Sequence, residues 1–144
     1  MKQLGKYAFL FWFGGSFYIT LEVLWRERSH WAMGLLAGLV FIAIGSLNRI
    51  WGWETGLILQ VIVGTAIATI GEFVTGCIVN LWLKWDVWSY EGMWGNVLGQ
   101  ICPQFIALWI PIVLLAIVLD DLICWRFFNE ERPRYWIGNK LIEF

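Results

Sequence analysis

The sequence predicts an all-α fold: an integral membrane bundle of four transmembrane helices, with an aromatic-rich interfacial or re-entrant segment between helices 3 and 4. Three observations carry this prediction. Mean hydropathy is +0.67 with only 15% charged residues, far more apolar than a soluble domain of this size can cover. Four apolar stretches approach the ~20 residues a helix needs to cross hydrocarbon. Ten of the twelve tryptophans fall beside the ends of those stretches, where indole rings prefer the headgroup level.

The first stretch, about residues 7–25, follows Lys2 and Lys6 as a signal peptide would. It lacks an A-x-A-like cleavage site and is too long and aromatic, so it is read as a retained first span. The second stretch covers about 31–47, the third 55–79 and the fourth 101–119. Polar punctuation separates them: "RERSH", "NRIWGWE" and the long "NLWLKWDVWSYEGMWGNVLGQ". Residues 1–128 are thus expected to form the transmembrane domain and 129–144 a short polar C-terminal tail. Trp12 and Trp109 alone lie in span interiors.

The connection "WDVWSYEGMWGN", residues 85–96, is too interrupted to span and too aromatic for a solvated loop. Backbone at membrane depth must satisfy its polar groups within the protein. The segment therefore lies along the interface, the favoured form, or dips back as a re-entrant lid, with Trp and Tyr rings anchoring it and Asn96 and Gln100 facing inward. Seven Lys and Arg residues flank the N-terminus, the second connection and the tail, against three in the first and third connections. That bias places both termini in the cytoplasm. Gly34 and Gly38 form a G-x-x-x-G, Gly45 follows one heptad after Gly38, and Gly76 lies in the third span. Such small faces let helices approach closely in lipid, first between neighbours in the chain and second between copies. Pro111 is expected to kink the fourth span.

Glu72 is the most informative residue, because a charged side chain at bilayer depth costs about 2.5–3.5 kcal/mol on insertion scales. Thr65, Thr69 and Thr75 share its helical face with Ala68 and Gly76. That face of hydroxyls and small residues should point into the bundle, as a site for a cation, a proton or a polar ligand group, or as a carboxyl that joins two helices. Glu22 has Arg26 four residues on, a sufficient ion pair in itself, or it faces Glu72 as a second intramembrane acid. Trp88, Tyr90, Asn96 and Gln100 complete the ligand- or ion-binding candidates. His30, between Arg and Trp, reads as a headgroup contact. Asp120 and Asp121 read as a water-facing helix end, with Arg126, Arg132 or Arg134 as alternative partners.

A net charge of −1 provides no basic field for nucleic acid. Cys77, Cys102 and Cys124 have no C-x-x-C spacing and read as small apolar residues, so no metal centre or cofactor is expected. No P-loop, G-x-S-x-G or H-E-x-x-H is present, and an enzyme is not expected.

Four stretches carry a resemblance: "FYITLEVLWRERSHWAMGLLAGLVFIAIGSLN", "EFVTGCIVNLWLKWDVWSY", "GNVLGQIC" and "LLAIVLDDLI". The chain resembles small Firmicutes membrane proteins of the ABC-transporter permease (ABC-transporter type IV) family along nearly its whole length. The most specific part is Glu72, Thr75 and Gly76, then the aromatic segment, then Asn96, Gly99 and Ile101. It departs where that family reads W-D-Y-S: Trp88-Ser89-Tyr90-Glu91 stands there, with Asp86 the nearest Asp. The resemblance implies membrane transport, with ATP supplied by a separate ATPase subunit. The leading expectation is a permease-like protein of the cell membrane that binds or moves a small molecule or ion at Glu72. A thin four-helix bundle in the lipid bilayer is also expected to form a homo-oligomer or join a larger membrane complex. The alternatives are an accessory or scaffold subunit recognising lipid or a partner helix and, less favoured, an intramembrane enzyme acting on lipid.

Overall fold

A computed structural model describes residues 2–143. Met1 and Phe144, the outermost residues of the expected domain and tail, lie outside the described residues. The elements are α1 (Lys2–Arg26), α2 (Trp31–Gly45), α3 (Leu47–Trp51), α4 (Leu57–Gly76), a π-helical turn (Cys77–Trp82), α5 (Pro103–Phe128) and strands β1 (Arg134–Ile137) and β2 (Lys140–Glu143). Four stretches are long and apolar enough to cross a membrane: Gln3–Arg26, Trp31–Trp51, Leu57–Trp82 and Pro103–Phe128. The protein is a multi-pass membrane bundle.

Lipid tails are as apolar as Leu, so helices in a bilayer associate through close packing and hydrogen bonds instead of hydrophobic burial. The α1–α2 hairpin shows this directly. A Cβ on Gly15 would sit 2.6 Å from the Gly34 carbonyl oxygen, and one on Gly38 would sit 2.6 Å from that of Phe11. The G-x-x-x-G is therefore used inside the chain, against its neighbour. Gly45 serves a third contact, since any Cβ there would collide with the Asp120 carboxyl on α5. His30 begins α2 as its cap, its ring nitrogen accepting the Ala32 N–H at 3.2 Å. The same ring lies among Trp31 and Trp85, at centroid distances of 5.4 and 5.6 Å.

The fourth span runs past the expected boundary at residue 119 and through Pro111 to Phe128. Its two acids are the reason for the difference, and they correct the expectation of a water-facing helix end. Asp120 is 0% exposed and Asp121 3%. Their partners are not the downstream arginines but residues of the second span and the tail. Arg49 Nη1 donates to Asp120 at 2.8 Å, Asn48 to Asp121 at 2.6 Å and the Tyr135 hydroxyl to Asp121 at 2.8 Å. Arg49 also lies 3.7 Å from Glu130, which is ion-paired with Lys6 near the start of α1. With partners on α3 and β1, two carboxyls can be carried inside a helix that remains apolar elsewhere.

The tail folds as well. β1 and β2 pair antiparallel, Ile137 opposite Lys140, across a two-residue turn with Gly138 at positive φ, the position a II′ turn reserves for glycine. Tyr135 on β1 is buried, and its ring meets Trp53 at 6.3 Å. Burial and the adjacent Asp121 carboxylate push the Tyr135 phenol well above its ordinary value, so it stays a hydrogen-bond donor.

Because Gly38 faces the Phe11 backbone, a side chain there cannot be accommodated by rotamer change alone. Gly38→Leu should cost about 1–3 kcal/mol through overpacking. Thermal unfolding in detergent should show that loss, while the mass of any oligomer stays unchanged, because the contact is within one chain.

Candidate functional site

The site is built on the buried face of α4. Gln60, Gly64, Ala68, Glu72 and Gly76 recur every four residues and are all buried, the spacing that aligns side chains along one helix face. Beyond Gly76 the helix widens into the π-helical turn, a distortion that concentrates at functional positions. Here it turns Asn80 inward: its amide donates to Gln100 Oε1 at 2.8 Å, and its oxygen accepts the Val87 N–H at 2.7 Å.

Those bonds anchor residues 83–102, which fold back on the bundle. Tyr90 N–H donates to the Gly99 carbonyl at 2.7 Å, and the Trp88 indole donates to the Gln100 carbonyl at 3.1 Å. Gly99 holds φ +67°, where a side chain would be strained and would press on Glu91. Asn96 braces the same turn by accepting the Gly99 N–H at 2.9 Å and donating to the Met93 carbonyl at 2.8 Å. The segment has two faces. Trp85 and Trp94 are exposed, while Trp88 and Tyr90 are buried. Gly76 permits this docking, for a Cβ there would lie 2.6 Å from Gln100 Oε1 and 3.0 Å from the Trp88 ring.

Glu72 is 2% exposed, and each of its oxygens accepts one hydrogen bond. Tyr90 Oη donates to Oε1 at 2.8 Å and Trp109 Nε1 to Oε2 at 2.9 Å. Burial, followed by the Glu72 carboxylate itself, drives the Tyr90 phenol well above its ordinary value, so it remains a donor throughout the physiological range. Among the described residues no Lys or Arg forms an ion pair with Glu72. The acid is held by two neutral donors, one from the folded-back segment and one from α5.

A cavity of about 300 Å³ opens beside it, lined by α1, α4, α5, the folded-back segment and Met33 of α2. Glu22 stands on the α1 wall, ion-paired with Arg26 and accepting the Ser29 hydroxyl at 2.5 Å. Tyr18 stacks on Trp109 at 5.6 Å and 14°. Tyr90 stacks on Phe105 at 4.4 Å and 24°. The resulting chamber is chiefly apolar, with one neutralised acid–base pair and one acid without a counter-cation. Its volume falls at the lower end of small-molecule sites.

The family described as "Putative ABC-transporter type IV" matches residues 7–138. The chain belongs to that family. No curated protein and no solved structure matches it significantly.

In this ABC-transporter type IV chain, the structure brings Glu72, Glu22, Trp88 and Tyr90 together around one cavity. Gln100 is buried one layer away, holding Asn80, and Asn96 shapes the turn. Thr69 and Thr75 are not among the cavity residues, and the buried Thr65 and Thr69 hydroxyls have no hydrogen-bond partner among the described residues. Asp86, the nearest Asp to the family's W-D-Y-S position, is exposed and outside the cavity. Sequence reasoning missed Trp109 and Tyr18. Trp109 did carry a signal: of the two tryptophans inside spans, Trp12 is 69% exposed and Trp109 buried, and a buried indole N–H needs an acceptor.

Removing either donor leaves a buried carboxyl oxygen unsatisfied. Tyr90→Phe and Trp109→Phe should each cost about 1–3 kcal/mol. The double variant should depart from additivity, because both act on one group; denaturation of all three variants in detergent measures the coupling.

Proposed function

We propose that the protein is a permease-like component of the cell membrane that binds or moves a small molecule or ion at Glu72. ATP hydrolysis would be supplied by a separate subunit, since the chain has no P-loop. The observation that carries this reading is a carboxyl 2% exposed, bonded to neutral donors alone, at the wall of a 300 Å³ cavity. Intramembrane acids are expensive and default to substrate or ion pathways. An acid serving only to join helices would gain nothing from an adjoining chamber. Family membership supports a transport-related role in the same direction.

Residues 83–102 act as the gate in this reading. Tyr90 is at once the donor to Glu72 and part of the cavity wall. A ligand that engages Glu72 competes for that hydrogen bond, so occupancy and the position of the segment are linked. Both termini lie on the cytoplasmic side, and the thin bundle works as a homo-oligomer or within a larger membrane complex. The scaffold alternative loses its glycine face, because Gly34 and Gly38 already face α1, and keeps only its exposed tryptophans, such as Trp82 and Trp94.

Native mass measurement of the complex released gently from its own membrane tests the proposal. The wild type should carry a small-molecule increment, an added ATPase mass, or both. Glu72→Gln should stay folded and lose the small-molecule increment, or at least tenfold in binding or flux. A folded Gln variant with unchanged binding and flux would reduce Glu72 to a helix-joining residue.

A further inference from the structure

The walls of the cavity define the chemistry of what it takes. Two acids and one base line it, and the base is already matched: Arg26 is paired with Glu22, whose second oxygen accepts the Ser29 hydroxyl. An anion would find no free positive charge there, and Glu72 would repel it. A hard metal ion requires six or more oxygen ligands or a compact octahedral set. Glu72 offers one carboxyl whose two oxygens are each engaged by a donor, and among the described residues no group of three His, Cys, Asp or Glu is placed to hold a metal.

The remaining surface is apolar, and about half of it is aromatic. Tyr18, Trp25, Trp88, Tyr90, Phe105 and Trp109 contribute rings, and ring faces attract cations, most strongly when desolvated. The rim adds a second requirement. Trp25, Leu108 and Pro111 line the cavity and are exposed on the outer face of the bundle, where α1 and α5 touch only sparsely. The chamber thus opens sideways between two membrane-spanning helices, through apolar residues, onto the hydrocarbon-facing surface. A ligand using that opening needs an apolar body as well as a positive centre.

We propose that the cavity binds an amphipathic organic cation, an ammonium or similar onium centre on an apolar body. The cation sits against Glu72 and the aromatic walls, and the body extends between α1 and α5. This assignment rests on the reading of the cavity as a binding site and names its ligand class. The same chemistry is offered by a free lipophilic amine and by the ammonium headgroup of a phospholipid.

The test uses the full chain purified in a maltoside detergent, which carries no charge, with radiolabelled tetraphenylphosphonium and its near-isosteric anion tetraphenylborate. Saturable binding of about one phosphonium per chain is expected, with no competition from the borate. Glu72→Gln should weaken it at least tenfold. Trp25→Ala, at an exposed and structurally tolerant position, should weaken it severalfold and provides a readout if the Gln variant fails to fold. Displacement by phosphatidylethanolamine but not by dodecyltrimethylammonium identifies a lipid headgroup as the occupant. The reverse identifies a free amine, and either pattern upholds the assignment. Equal binding of phosphonium and borate, both weakened by Glu72→Gln, overturns the cation class while the cavity remains a site. Binding of neither ion, or binding indifferent to Glu72 and Trp25, overturns both readings.

Discussion

Hydrocarbon supplies no hydrogen bonds, so each carboxyl that α4 and α5 carry into the bundle must be satisfied by the protein itself. That constraint organises the molecule. A buried, unpartnered polar group costs several kcal/mol in such surroundings, comparable to a large share of a domain's net stability. Glu72 obtains its two donors from α5 and from the segment that folds back between α4 and α5. Asp121 obtains its own from α3 and the hairpin, and Asp120 from Arg49. Without Glu72 the folded-back segment would keep its Asn80 bonds but lose the one from Tyr90, and without Asp121 the hairpin would lose the bond from Tyr135.

The two ends of the bundle solve the same problem with different chemistry. At the end holding the termini, opposite charges interlock: Lys6 with Glu130, Arg49 with Asp120 and at longer range with Glu130. That network is compact, and Asp120 fits against Gly45 so closely that no side chain could be inserted. At the other end Glu72 has only neutral donors and an adjoining chamber. Asp120 is matched to a cation, whereas Glu72 is held by a phenol and an indole alone. The two ends thus differ in how their buried carboxyls are held, by cations at one and by neutral donors at the other.

Much of this was legible in the residues. Apolar length and the placement of indoles gave four spans in nearly the observed positions, because both follow from bilayer thickness and interface preference. Glu72 stood out because its cost is local and needs no knowledge of the fold. The partners did not, since pairing across α4, α5 and the folded-back segment is a long-range matter. Asp120 and Asp121 were read as the end of a helix for a good local reason, two acids after an apolar run. What overturned it was Asn48 and Arg49, over seventy residues away. The hairpin was hidden by its brevity: two four-residue strands around Gly138 carry a signal too short to separate from an irregular tail.

The hydrogen bond from Tyr135 to Asp121 has a consequence for biosynthesis. Tyr135 lies fourteen residues downstream of the acid it satisfies. β1 follows α5 in the chain, so the helix and its acid are made before the residue that supplies one of Asp121's two donors. Until then Asn48 is the other donor to Asp121. Completing the hydrogen bonds of an acid inside the last span therefore depends on a hairpin that lies outside all four spans.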